Sequence, residues 1–334
     1  MKKSISVLLC IALLVLPLGL SASAADGIYE TGSKPSWLRT LPLQIKYVIF
    51  SMTAGSGFWE DSFIVLHEGK IVYEKYSWGQ NAEKAHALNS ATKSVVSALA
   101  GIAIKEGYIG SVQDKVITYF PEAAIAAGQE SKRDMTVEHL LTMTSGLPED
   151  AKDLDAPYLT AADAGLTAFE SPQAAKPGEK FMYSATGSQC LASLIARATG
   201  RNLYDYAQEK LFGPLGMASV TSWRSAADGS TVGGHGLAMT SRDMLRFGQL
   251  YLNDGVWNGT RILPEGWVAQ SMPKENAFRG YGYMFWGNPA HNTLGDSYEA
   301  RGLYGQIICV YPERNLVIAR TGRGLFGGTG INYT

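Results

Sequence analysis

Cysteine is scarce in this chain of 334 residues, with three in all. Cys10 lies in an apolar leader, and Cys190 and Cys309 sit in the apolar settings CLASLIA and IICVY. In an oxidising compartment the latter two could pair, but a chain this long does not need a disulfide, so buried free thiols are expected. Charge of one sign is missing as well: 29 lysines and arginines against 30 aspartates and glutamates leave a formal net charge of −1. That balance provides no basic footprint for nucleic acid or an anionic membrane surface, and a small-molecule partner is expected instead. The five histidines show no H-E-x-x-H or similar spacing, so neither a metal nor another cofactor is expected. A G-x-S-x-G nucleophile elbow is absent. Gly322-Arg323-Gly324-Leu325-Phe326-Gly327 matches G-x-G-x-x-G, yet the sequence ends at Thr334 without the helix and acidic residue that a dinucleotide site requires.

Long apolar runs are confined to the start. MKKSISVLLCIALLVLPLGLSASAA has a basic beginning, a short apolar stretch broken by Pro17, and Ala22-Ser23-Ala24 as an A-x-A cleavage site. The stretch is shorter than the roughly 20 residues of a membrane span. Residues 1–24 are therefore expected to be a signal peptide, with a secreted or periplasmic mature chain, free of membrane spans, beginning at Ala25 or Asp26. Leu9 before Cys10 argues against lipid attachment there.

What remains exceeds the size of one simple core, which favours two lobes or a domain with an insertion. Ser62–His67 and Lys70–Tyr76 read as two strands around the Glu68-Gly69 turn. Tyr281–Trp286, Gln306–Tyr311 and Leu316–Arg320 read as further strands, with Pro312-Glu313-Arg314-Asn315 as a turn. Between them the signals are helical: Val95–Glu106 stopping at Gly107, a helix beginning at Thr136, Gln189–Thr199 stopping at Gly200, and Ser241–Leu252. The expected architecture is α/β (α+β), an antiparallel sheet built from both termini and flanked by helices, with an inserted, mainly helical domain. In residue terms, 26–88 with 281–334 form the sheet domain and 89–280 the helical one, and the active site lies at their interface.

The most informative stretch is Leu88-Asn89-Ser90-Ala91-Thr92-Lys93, which leads into the apolar run. A helix starting near Ser90 would make the serine an ordinary N-cap, but that leaves Lys93 unexplained. A cation in the first turn opposes the helix macrodipole at a cost of about 0.3–1 kcal/mol, where a capping box would place Glu or Gln. A rule broken locally points to function. Three residues apart, the two side chains share a helix face. Burial and the positive helix end disfavour the charged amine, and a neutral amine is a general base. The same helix end favours a serine alkoxide and aims the N–H of Ser90 at a developing oxyanion. A second S-x-x-K, Ser271-Met272-Pro273-Lys274, contains a proline and leads into polar residues, which marks it as a decoy.

Together with LNSATKSVVSALAGIAI, the blocks TVEHLLTMTSGL, KPGEKFMYSATGS, GGHGLAMTSRDMLRFGQLYL and ARGLYGQIICVYPERNLVI resemble the serine β-lactamase and penicillin-binding-protein family. The likeness is strongest to the class C-like branch that holds esterases and 6-aminohexanoate-dimer hydrolases. The resemblance implies a β-lactamase/transpeptidase-like fold and an amide or ester hydrolase that forms an acyl-enzyme on Ser90, with Lys93 as base. It further implies that Tyr183, in Tyr183-Ser184-Ala185, relays protons, that Leu303 lends its backbone N–H as second oxyanion donor, and that His235 and Tyr304 line the substrate pocket. Two departures disfavour a β-lactamase or D-alanyl carboxypeptidase: Ala185 replaces the asparagine of Y-x-N, and Ala300-Arg301-Gly302 stands where K-T-G is usual. A non-catalytic binding protein that keeps the cleft is the remaining alternative. Members of the family usually end in a helix over the sheet, whereas this sequence runs on for twelve glycine-rich residues after Gly322, so the sheet is expected to be covered differently or left bare.

Overall fold

The computed structural model describes residues 59–149, 155–273, 280–287 and 296–324. Residues 1–24, expected to be a signal peptide, with Cys10, and the glycine-rich end from Leu325 onward lie outside the described residues.

Strands β1 (Trp59–His67) and β2 (Lys70–Tyr76) form the expected hairpin. Its two turn residues, Glu68 and Gly69, both have positive φ, 50° and 74°, as a two-residue hairpin turn that matches strand twist requires. Strands β3 (Trp286–Gly287), β4 (Tyr298–Gly302), β5 (Gln306–Tyr311) and β6 (Leu316–Arg323) complete an antiparallel sheet in the order β2-β1-β6-β5-β4-β3. The earliest described strand therefore lies beside the last, in register from Trp59↔Arg323 to His67↔Leu316 with one irregularity at Glu60/Ser62. Between β5 and β6 the chain turns through Pro312–Arg314 and Asn315, whose φ is 49°.

One expectation is corrected. Tyr281–Trp286 is not a strand: only Trp286–Gly287 extends, with a single bridge back to Tyr281. The chain doubles back because Gly282 donates to the Phe285 carbonyl at 2.9 Å and Met284 adopts φ 58°. A side chain at Gly282 would lie 2.2 Å from the Ser271 carbonyl. Conversely, β4 carries glutamate, arginine and glycine, poor strand formers by themselves, and is held by its register with β5 from Tyr298↔Val310 to Gly302↔Gln306.

The helices that matter for the site are α1 (Thr92–Lys105), α2 (Val137–Leu141), α3 (Ala164–Glu170), α4 (Ala185–Thr199) and α5 (Ser241–Leu252). α1 is buried from Thr92 to Ala103, which accounts for its nearly unbroken apolar sequence. α5 lies on the sheet. A methyl group at Gly248 would meet Val317 Cγ1 at 2.4 Å and Ile308 Cγ2 at 2.9 Å, so the missing side chain lets helix and sheet approach. Ile64, Ile308, Val310, Val317 and Ala319 are buried on this face, and Phe63, Val65, Cys309 and Ile318 are buried on the other. Cys190 and Cys309 are free and buried. Among the described residues no helix is long and apolar enough to cross a membrane.

Gly248→Ala is expected to lower the unfolding free energy by ~1–3 kcal/mol through overpacking. Denaturant titration of both proteins checks this, and an unchanged midpoint would mean that the interface has slack.

Candidate active site

Ser90 lies in a 3₁₀ turn, Asn89–Ala91, between the two-residue strand His86–Ala87 and α1. That strand pairs with Ala238–Met239, and Leu88 N–H donates to the Leu237 carbonyl at 2.9 Å. The N-cap of α1 is Ala91, without a side-chain bond, so Ser90 is no cap. The turn's first bond runs from Ala91 N–H to the Leu88 carbonyl at 3.2 Å, which leaves the Ser90 N–H ahead of the hydrogen-bonded ladder.

Lys93, one helical turn on, is 2% exposed. Its Nζ donates to Ser90 Oγ at 3.2 Å and to the Gly234 carbonyl at 2.9 Å. It forms no ion pair among the described residues; its partners are a hydroxyl, a carbonyl and the face of Tyr183, whose centroid is 5.0 Å away. The Gly234 carbonyl is fixed from α4: Gly233 N–H donates to Gln189 Oε1 at 2.9 Å, and a side chain at Gly233 would lie 2.3 Å from the Ser188 carbonyl. Gln189 is fully buried and also donates to Ser193 Oγ and the Thr231 carbonyl. A satisfied buried amide of this kind specifies one arrangement.

Tyr183 immediately precedes Ser184, the N-cap of α4, whose Oγ accepts from Gly187 N–H at 2.9 Å. Its ring also meets Trp286 at 5.5 Å between centroids, tilted by 34°, and stands edge-on to Tyr281 at 6.1 Å. Tyr281 and Trp286 are themselves 4.6 Å apart in a T-shape. Burial pushes the Tyr281 phenol well above its ordinary pKa, with Tyr183 adding to the effect. Ala185 is the first residue of α4 and is buried; it has no side-chain amide.

Leu303 occupies the turn between β4 and β5, at 58% exposure. The turn is pressed against the Ser90 segment: a side chain at Gly302 would lie 2.0 Å from the Leu88 carbonyl. Asn89 Nδ2 donates to the Leu303 carbonyl at 3.0 Å, and Gln306 Nε2 donates to the same oxygen at 3.1 Å. From below, buried Arg320 donates to the Gly305 carbonyl at 2.9 Å. Tyr304 sits at the tip, half-buried, with φ 63°. His235 is 2% exposed. Burial, then the neighbouring cations Arg224 and Lys93, push its pKa down to about 3, so the ring is neutral at ordinary pH. The second S-x-x-K is not comparable: buried Ser271 donates to the Trp267 carbonyl at 3.0 Å, and Lys274 lies outside the described residues.

A buried amine on a serine hydroxyl, flanked by a tyrosine, is thus assembled from α1, the start of α4 and the β4–β5 turn. The sequence profile of the Beta-lactamase family matches residues 55–325. The chain belongs to the Beta-lactamase family. Members of this family are serine hydrolases. The chain is 25% identical over 286 residues to a 6-aminohexanoate-dimer hydrolase from Paenarthrobacter ureafaciens, covering 78% of this chain and 71% of that one. Its fold matches a penicillin-binding protein homologue from Caulobacter crescentus, with TM-score 0.67, 17% identity, and 88% and 93% of the two chains covered. It also matches EstCE1, a hydrolase with promiscuous acyltransferase activity, with TM-score 0.67, 16% identity, and 86% and 94% covered. The fold is accordingly β-lactamase/transpeptidase-like.

Several residues that build the site escape sequence reasoning. Asn89, Gln189, Gly234 and Trp286 act through a backbone carbonyl, a distant loop or a ring face, and no spacing announces such contacts. Gly234 left a signal in the glycine-framed run Gly233-Gly234-His235-Gly236, where a backbone can approach closely, and so did Asn89, a polar residue beside a candidate nucleophile in an apolar setting.

The depressed His235 pKa has a consequence for stability. Between its ordinary value of 6.5 and about 3, the ring takes up a proton only on unfolding. This contribution to stability is fully present above pH 6.5 and is lost as pH falls toward 3. His235→Gln is expected to flatten the acid limb of the pH–stability curve. Denaturant unfolding at pH 4 and pH 7 measures it, and identical slopes in both proteins would place the acid sensitivity elsewhere.

Proposed function

We propose that this hydrolase cleaves an amide or ester bond through an acyl-enzyme on Ser90, in the manner of a 6-aminohexanoate-dimer hydrolase. The observation that carries the reading is the 3.2 Å contact between Lys93 Nζ and Ser90 Oγ, made by a buried amine that forms no ion pair among the described residues. In its neutral form Lys93, acting with Tyr183, takes the Ser90 proton as Oγ attacks the substrate carbonyl. The oxyanion rests on the N–H groups of Ser90 and Leu303. Lys93 or Tyr183 then returns the proton to the leaving amine or alcohol, and water attacks the acyl-Ser90 ester and releases the acid. No step calls for a cofactor.

Ala185 and the partners of Arg301 support a linear substrate over a β-lactam or a D-alanyl peptide. Position 185 has no side-chain amide, and Arg301 on β4 is engaged by the buried carboxylate of Glu299. The exposed Leu303 side chain and half-buried Trp286 favour an apolar acyl chain. We also assign export to residues 1–24; N-terminal sequencing of protein recovered outside the cytoplasm would begin at Ala25 or Asp26.

Ser90→Ala and Lys93→Met are each expected to reduce hydrolysis of a short-chain p-nitrophenyl ester by about a thousandfold or more, and the double variant by no more, because the pair acts as a unit. Near-normal rates in a folded Ser90→Ala protein would place the nucleophile elsewhere, and inactivity of the folded parent protein would revive the binding-protein reading. Comparison of nitrocefin with a linear amide under matched conditions ranks the enzyme readings. The amide is expected to turn over faster, and the reverse would favour a β-lactamase.

A further inference from the structure

Asn89 sits next to the proposed nucleophile, and none of the steps above uses it. It is 4% exposed and adopts φ 49°, a left-handed conformation that glycine takes freely and asparagine tolerates better than most residues. Its Oδ1 is buried without a hydrogen-bond partner among the described residues, which costs stability. Glycine would meet the backbone requirement without burying an orphaned acceptor. What glycine lacks is the donor, and Asn89 Nδ2 spends it on the Leu303 carbonyl at 3.0 Å.

That carbonyl accepts two bonds with different consequences. Gln306 Nε2 binds it at 3.1 Å and also the Gly322 carbonyl at 2.7 Å, which ties the β4–β5 turn to its own sheet. The Asn89 bond ties the same turn to the segment that carries Ser90. On the other side of Leu303, Gly302 is in close contact with the Leu88 carbonyl. The peptides before and after Leu303 are thus both referenced to Leu88-Asn89, which fixes the direction of the Leu303 N–H relative to the Ser90 N–H. We propose that Asn89 is the positioning residue that holds the second oxyanion donor in register with the nucleophile. The proposal rests on the reading of Ser90 as nucleophile and Leu303 as donor.

The test compares Asn89→Gly and Asn89→Asp with the parent and with Ser90→Ala, using the full chain. Both substitutions tolerate the left-handed backbone, and both remove the donor. The measurements are kcat and KM for a p-nitrophenyl ester, the affinity for an arylboronic acid that forms a tetrahedral adduct, and the melting midpoint. Asn89→Gly is expected to lower kcat by about tenfold to a hundredfold with KM changed by less than about threefold. Boronate affinity should weaken by a similar factor, because only a tetrahedral oxyanion needs the donor in place. Asn89→Asp is expected to give the same split and carries the comparison if the glycine variant does not fold. Parent-like kcat and boronate binding in either folded variant, with Ser90→Ala inactive, would overturn the positioning role and leave the function intact. A fall in kcat that merely follows the melting midpoint would overturn it too. An active Ser90→Ala would remove the functional reading and the proposal with it.

Discussion

The site depends on an amine held out of water against a hydroxyl by neutral partners. Lys93 is buried on α1 and contacts Ser90 Oγ, the Gly234 carbonyl and the Tyr183 ring. A buried ammonium normally demands a carboxylate, and among the described residues Lys93 forms no ion pair. The surrounding architecture follows from this need. α1 is apolar all round because it passes through the centre of the molecule, and the loop at Gly233-Gly234 approaches closely because no side chain intervenes. α4 supplies both the glutamine that fixes that loop and, just before its N-cap, the tyrosine that covers the amine.

A second constraint comes from the sheet. In the proposed mechanism serine and lysine supply a nucleophile and a base, but a tetrahedral intermediate also needs donors fixed in advance. The β4–β5 turn brings a backbone segment from far along the sequence against the nucleophile's own turn. It is held there by side chains whose amides and guanidinium face inward: Asn89, Gln306 and Arg320. These hydrogen bonds run to the Leu303 and Gly305 carbonyls.

Much of this was legible in the sequence, for physical reasons that can be stated. The β1–β2 hairpin showed itself through alternation and a Glu-Gly turn, and α1 through an apolar run ended by glycine. Ser90 and Lys93 stood out because a first-turn lysine breaks the electrostatic rule for helix starts. Tyr183, Leu303, His235 and Tyr304 came from resemblance alone. The structure brings the Tyr183 ring to Lys93 and the Leu303 carbonyl to Asn89, buries His235 as a neutral ring, and puts Tyr304 at the hairpin tip. The strand assigned to Tyr281–Trp286 failed because β-propensity cannot register that Gly282 must pack against the Ser271 carbonyl. The contacts of Asn89 and Gln189 were out of reach, since each depends on a backbone atom brought near only by the completed fold.

The central claim is that Ser90 is the activated nucleophile, and covalent labelling tests it most directly. Folded protein treated with a fluorophosphonate ester and analysed by peptide mass spectrometry should carry one phosphonyl group, on Ser90. A label on another residue, or no label under conditions where a control serine hydrolase reacts fully, would contradict the account.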